Sequence, residues 1–193
     1  MTHFWWVRHG PTHQKSFVGW RDIPADLSDT SLISAVADYL PQDALVISSD
    51  LIRSTSTADA IQGQRDRLPH DERLREFDFG DWDGLTFDEV NARDPILCRE
   101  YWEKPGDVAP PNGESWNAVA GRVNAAVDQL IELTKSQHIV VVAHFGVIMT
   151  QIQKVEGGDA YKALGHQIDN LSVTDLRFDG RNWHRGAINH LPE

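Results

Sequence analysis

Three short apolar runs, each followed directly by polar residues, constrain the fold of this chain more than any other feature. The runs lie at residues 4–7, 44–49 and 139–144 and are rich in Val, Ile and Trp. Short apolar runs without clean alternation are typical of strands buried on both faces of a parallel sheet. The carboxyl ends of such strands meet at one edge of the sheet, where open α/β folds bind ligands. We therefore expect the polar residues after these runs to share one crevice.

The segments between the runs favour a three-layer α/β/α sandwich with a doubly wound, mostly parallel sheet. Helices are expected over 29–40, 50–62 and 114–133, and a further strand over 172–178. Residues 81–115 lack strand signals and contain two short helical stretches and turn-rich Pro and Gly residues, so we interpret them as a short helical cap insertion over the crevice. We take residues 1–193 as a single domain.

Composition excludes several function classes. The chain has 193 residues and a formal net charge of −11, which disfavours a nucleic-acid backbone or an anionic membrane surface as a partner. One cysteine, Cys98, permits neither an internal disulfide nor a Cys-based zinc cluster. A secretory leader pattern and an apolar run long enough to span a bilayer are also missing. We expect a cytoplasmic protein.

The polar residues that follow the runs suit an anionic ligand. Arg8 and His9 follow the first run, Arg53 lies shortly after the second, and His144 follows the third. Guanidinium groups match phosphate geometry bidentately and stay charged at any working pH. Two arginines and two histidines facing one crevice would therefore suit a tetrahedral dianion.

Six short motifs follow one another in order across most of the chain. They are RHGPT at 8–12, GWRDIP at 19–24, SDLIRS at 49–54, LREFDFGDWDG at 74–84, GES at 113–115 and VAHFG at 142–146. Each motif alone is a weak signal, but the ordered set is specific. The set resembles the histidine phosphatase superfamily, which includes cofactor-dependent phosphoglycerate mutases and many small phosphatases.

The resemblance implies a role for each matched residue. His9 would attack the phosphoryl group and form a phosphohistidine, which requires a neutral ring whose other nitrogen is held, we expect, by a backbone carbonyl. Arg8 and Arg53 would bind the non-bridging oxygens, and His144 would donate a further hydrogen bond. Glu76 would protonate the leaving alkoxide and then, as a carboxylate, activate water, which requires a raised pKa.

The sequence departs from the family pattern at several positions. Pro11 replaces the usual Glu or Gln, Phe145 replaces a common Gly, and Lys15 stands where many members carry Asn. Lys15 would favour a substrate with a second anionic group. We take Lys15, Gly19 and Trp20 as further candidates for binding phosphate or substrate.

Structural interpretations of the same residues stay open at this point. A lone buried histidine is more often structural than catalytic. Arg53 could be a surface helix residue paired with Asp50 or Asp59. Glu76 could be a solvated acid within the acidic stretch 72–83.

The sequence predicts a phosphatase that hydrolyses a small phosphorylated metabolite, with phosphate or vanadate as site ligands and no cofactor or metal. The alternatives are phosphoryl transfer of the phosphoglycerate mutase type and a non-catalytic protein that binds a phospholigand. A metal-dependent hydrolase is disfavoured because the usual ligand spacings are missing. We expect no nucleic-acid or membrane partner, and a homodimer is left open.

Overall fold

The computed structural model describes residues 1–134 and 136–193. Its central element is a mixed five-stranded sheet. The strands in the described residues are β1 (Thr2–Arg8), β2 (Leu45–Ser48), β3 (His138–Ala143), β4 (Val173–Phe178) and β5 (Trp183–Arg185). The α-helices there are α1 (Thr30–Tyr39), α2 (Ile52–Ile61), α3 (Phe87–Arg93), α4 (Pro95–Glu103), α5 (Trp116–Leu133), α6 (Phe145–Glu156) and α7 (Ala160–Ala163).

The strand order is β2-β3-β1-β4-β5, and the three predicted runs are parallel neighbours in it. β4 is antiparallel to β1, and β5 is antiparallel to β4. The predicted fold class, an α/β fold with a mostly parallel sheet, is confirmed. In the register of β1 and β3, Arg8 lies opposite Ala143, so His9 and His144 each follow at the same edge.

Both faces of the sheet are covered, which explains why the strands read as unbroken apolar runs. Phe4 and Trp6 point into a core built with α5 and α6, whereas Val7 and Val142 point into a second core built with α1 and α2. Helices on both faces of one sheet give the predicted three layers. None of the helices in the described residues has the length and apolarity needed to cross a membrane.

The predicted cap segment, residues 81–115, contains α3 and α4 and contributes no strand, all of its residues being described. Thr86 and Glu89 form a reciprocal capping box at the start of α3, and Pro95 occupies the first turn of α4. Trp82 is fully buried and donates its indole N–H to Asp94 at 2.9 Å. This bond ties the beginning of the cap to the junction between its two helices.

The elements that surround β4, namely α6, α7 and β5, are not predicted by the sequence patterns. His144 occupies the N-cap position of α6 and makes no side-chain capping hydrogen bond, so the usual Ser, Thr, Asp or Asn start signal is missing. β5 has only three residues, too few for a strand pattern.

Candidate active site

The residues that follow β1 and β3 meet a side chain of α2 at the carboxyl edge of the sheet. The ring centroids of His9 and His144 are 5.1 Å apart. Arg53, in the first turn of α2, donates its Nε–H to Nδ1 of His144 at 3.2 Å. The crevice expected from the apolar runs therefore holds both histidines and Arg53.

The backbone fixes the tautomer of His9. Its Nδ1 lies 2.7 Å from the carbonyl oxygen of Gly10, and because a carbonyl can only accept, the ring proton lies on Nδ1. Burial, with a smaller contribution from the Arg53 charge, lowers the pKa of His9 to about 3. The ring is therefore neutral near pH 7 and carries a free lone pair on Nε2.

Two side chains hold the loop that carries His9. The Gly10 N–H donates to Oγ1 of Thr57 at 3.0 Å, and the Asn170 amide donates to the His9 carbonyl at 2.7 Å. Neither partner belongs to one of the six motifs. Thr57 and Asn170 both belong to other segments of the chain, and both fix the position of the His9 imidazole.

Arg53 is a buried cation, which rules out the alternative of a surface ion pair. Its side chain is 1% exposed and donates to the carbonyls of Arg21 at 2.9 Å and Gly19 at 2.6 Å. Asp50, one of the two expected surface partners, instead binds Arg75. The guanidinium is held by neutral carbonyls and His144, so its positive charge is not cancelled by a direct carboxylate contact.

Arg8 retains donor capacity inside the crevice. It donates Nη1–H to the Ile168 carbonyl at 2.6 Å, while its buried Nε–H has no partner among the described residues. The ring of Phe145 lies 5.5 Å from the guanidinium carbon. An unpaired buried donor costs free energy, and the protein binds this guanidinium through a single hydrogen bond among the described residues.

His144 is fully buried and neutral. Its Nδ1 accepts from Arg53, so its proton lies on Nε2, 3.3 Å from Oγ of Ser54. Burial is the largest of the causes that lower the pKa of His144 well below its ordinary value. The ring can therefore act as a neutral hydrogen-bond donor.

Glu76 is 7% exposed, which excludes the alternative of a solvated acid. Its Oε1 accepts from the N–H of Phe77 at 3.0 Å, and its Oε2 accepts from the N–H of Gly146 at 3.1 Å. Burial raises the pKa of Glu76, and the two N–H donors and the nearby arginines oppose that rise. A Cβ on Gly146 would lie 2.5 Å from Oε1, so glycine is required there for the carboxyl group to fit.

The backbone of Glu76 is held by Arg122, a residue that lies outside all six motifs. Arg122 donates to the carbonyl of Glu76 at 2.8 Å and to those of Arg73 and Arg75, and it binds both carboxylate oxygens of Glu114. Glu114 lies in the GES motif, whereas its partner Arg122 lies in α5. This pairing depends on which face of α5 packs against the motif, and no local sequence pattern specifies that face.

Three further candidates occupy the loop after β1. Lys15 is exposed and forms no hydrogen bond or ion pair with another described residue. The Gly19 carbonyl accepts from Arg53, and the Trp20 indole N–H donates to the Glu76 carbonyl at 2.8 Å. Gly19 and Trp20 thus contact Arg53 and the backbone of Glu76. Within the described part of the chain, no three His, Cys, Asp or Glu side chains are grouped to hold a metal ion.

Comparisons with known proteins agree with the fold and the motifs. The model of the histidine phosphatase superfamily (branch 1) matches residues 4–190. The chain therefore belongs to the histidine phosphatase superfamily.

The relatives carry both phosphatase and mutase names. Phosphoglycerate mutase-like protein 4 of Arabidopsis thaliana is 31% identical, with 97% of this chain and 86% of the relative covered. Glucosyl-3-phosphoglycerate phosphatase of Mycolicibacterium vanbaalenii is 36% identical, with 74% and 68% covered. The bifunctional protein Rv2228c of Mycobacterium tuberculosis is 32% identical over 84% of this chain, but this chain spans only 43% of its length.

Among solved structures, the mycobacterial glucosyl-3-phosphoglycerate phosphatase Rv2419c in complex with VO3 superposes with a TM-score of 0.85. It is 29% identical, with 98% of this chain and 99% of that chain covered. A further structure of that phosphatase contains inorganic phosphate.

Proposed function

We propose that this protein is a phosphoric monoester hydrolase that acts on a small phosphorylated metabolite through a phosphohistidine on His9. The observation that carries the proposal is the contact between His9 Nδ1 and the Gly10 carbonyl, which leaves Nε2 unprotonated in a buried, cationic crevice. Binding a phosphate requires cations, but it does not require a neutral histidine with a free lone pair.

In the first step, His9 Nε2 attacks phosphorus and the bond from phosphorus to the ester oxygen breaks. Arg8 and Arg53 bind the non-bridging oxygens, and the Nε2–H of His144, which also lies 3.3 Å from Oγ of Ser54, donates to the same group. Glu76, whose pKa is raised by burial, gives its proton to the leaving alkoxide. Charge that develops on the phosphoryl oxygens is thus met by donors already in place.

In the second step, water attacks phosphorus and the bond to His9 Nε2 breaks. The Glu76 carboxylate takes the proton from water, and His9 leaves as the neutral ring with which it started. No cofactor enters either step. Gly19 and Trp20 position Arg53 and Glu76, whereas Lys15 lies on an exposed loop as a candidate contact for substrate.

Phosphoglycerate mutase chemistry is the second candidate because mutase-named proteins are among the relatives. A mutase would pass the phosphoryl group from His9 to a second hydroxyl of the bound product, whereas a phosphatase passes it to water. The two outcomes differ in whether inorganic phosphate is released.

The test is release of inorganic phosphate from a panel of phosphomonoesters in the presence of a chelator. We expect turnover by the wild-type protein that is lost in His9→Ala and retained in the matched control His184→Ala, an exposed histidine of β5. Isomerised substrate without phosphate release would favour the mutase. Bound vanadate without any turnover would favour a non-catalytic binding protein.

A further inference from the structure

An apolar groove begins at Glu76 and runs outward between the cap and the start of α6. Its inner part is lined mainly by ring and aliphatic side chains, namely Phe77, Tyr101, Trp102, Trp116, Phe145 and Leu164. A second depression shares Trp102, Phe145 and Leu164 and adds Tyr161, which is 60% exposed. The two depressions are therefore adjacent, the inner one at the buried carboxyl group and the outer one at the surface, and together they are called the groove.

The inner end of the groove reaches Glu76, one of the groups that act in the proposed reaction. Phe145 lies beside the Arg8 guanidinium, and the next residue, Gly146, donates its N–H to Glu76. An ester whose phosphoryl group binds Arg8, and whose bridging oxygen faces Glu76, has its alcohol portion at the mouth of this groove. The groove is thus placed to hold the leaving group.

The groove offers no cationic side chain to a second anionic group. Among the described residues that line the groove, Glu76 is the only ionisable residue of the types Asp, Glu, Lys, Arg and His. A carboxylate or second phosphate placed there would lose its hydration among apolar rings, next to another acid and without a cation. Lys15, the residue expected to favour a second anionic group, is not among the lining residues.

We propose that this groove selects phosphomonoesters of uncharged, predominantly apolar alcohols, with an alkyl chain or ring long enough to reach Tyr161. The proposal rests on the proposed function and names the substrate class of the same site. It also separates this chain from relatives whose printed names refer to phosphoglycerates.

The first test is a series of n-alkyl phosphates from ethyl to octyl, compared with glycerol 3-phosphate and 3-phosphoglycerate. Chain length hardly changes the intrinsic reactivity of these alkyl esters, so kcat/KM reports binding of the chain in the transition state. We expect kcat/KM to rise by up to about fourfold for each methylene until the groove is filled. We also expect hexyl phosphate to exceed 3-phosphoglycerate by about a hundredfold or more, since it gains apolar contacts and avoids a buried carboxylate.

Two variants locate the effect in the groove. Tyr161→Ala should lower the ratio of kcat/KM for octyl phosphate to that for ethyl phosphate by about fivefold, and Leu164→Asn should lower the same ratio for hexyl phosphate. Phe87→Ala is the matched control because Phe87 is 54% exposed on the cap but lies outside the groove. Its ratios should equal those of the wild type.

The outcomes separate this inference from the proposed function. If the wild type releases no phosphate from any ester, both are wrong. If short esters are hydrolysed in a His9-dependent manner, but kcat/KM is independent of chain length or highest for 3-phosphoglycerate, the groove assignment alone is wrong. Equal ratios for Tyr161→Ala, Leu164→Asn and the wild type would also overturn it.

Discussion

Two arginines, the buried Arg65 and the partly buried Arg8, show how similar side chains serve different ends in this fold. Arg65 is 3% exposed, and all three of its guanidinium nitrogens donate to backbone carbonyls near the C-terminal ends of α1 and α2. Those carbonyls belong to Ala37, Leu40, Pro41, Ile61 and Gln62. Carbonyls at helix C-termini lack partners within the helix and carry partial negative charge, so Arg65 closes both helix ends.

Arg8 is bound far less completely by the protein. It makes one hydrogen bond, to Ile168, and its buried Nε–H has no partner in the described part of the chain. Of these two residues, Arg8 is the one that keeps guanidinium donors which the protein does not use. Substitutions of the two residues should therefore have opposite consequences.

The largest expected effect comes from Arg8→Met. We expect kcat/KM to fall about a thousandfold, equivalent to about 4 kcal/mol, because a donor to the phosphoryl oxygens is lost. The free energy of unfolding should change by about 1 kcal/mol or less, since one hydrogen bond is lost together with an unpaired buried N–H. Kinetics and urea unfolding on the same sample check both values. A large loss of stability with unchanged kcat/KM would break the comparison.

Arg65→Met is the matched variant in the other region. We expect it to lower the free energy of unfolding by about 3 kcal/mol or more, because the carbonyls at two helix ends lose a charged donor. The kcat/KM of the folded protein should be unchanged, as measured under conditions where unfolding is negligible. Reduced kcat/KM at full folding would show that Arg65 also affects the crevice.

Glu76→Gln tests the acid beside the arginines. We expect kcat/KM for an alkyl phosphate to fall about a hundredfold, because the leaving alkoxide is no longer protonated. The loss should be smaller for 4-nitrophenyl phosphate, whose leaving group departs as an anion. Hydrolysis of the alkyl ester at the wild-type rate would contradict the assignment of Glu76.

Counted per pH unit, the smallest expected effect concerns the dependence of stability on pH. The pKa of His9 is lowered to about 3 in the folded state, below its ordinary value of 6.5, so the unfolded chain binds the proton more tightly. Stability should therefore fall as pH decreases from about 6.5 toward 3. His9→Gln should reduce this slope by about 1.4 kcal/mol per pH unit, measured by urea unfolding at several pH values. An unchanged slope would mean that His9 takes up a proton in the folded state.

Local sequence signals predicted the part of the fold that positions the crevice. Apolar runs identified β1, β2 and β3, because strands buried on both faces need unbroken hydrophobic residues. Because the carboxyl ends of parallel strands share one edge of the sheet, these runs alone were enough to place Arg8, His9 and His144 together. The bounds of α1, α2 and α5 were predicted to within two residues at each end.

Contacts between distant segments could not be predicted in this way. Thr57, Asn170 and Arg122 hold the crevice through hydrogen bonds to backbone groups far away in the sequence. Such bonds follow from packing rather than from a local pattern, and the same is true of the five carbonyls around Arg65. The apolar groove likewise forms between α4 of the cap and Phe145, which are far apart in the sequence.

The central claim, that His9 carries the phosphoryl group, is tested most directly by mass spectrometry of the protein quenched during turnover. Glu76→Gln with 4-nitrophenyl phosphate and a chelator is suited to this, because the first step needs no acid while hydrolysis of the intermediate lacks its base. The account predicts one phosphoryl group on the peptide that contains His9, and none in the double variant with His9→Ala. Phosphate release without modification of His9, or a phosphoryl group on another residue, would contradict it.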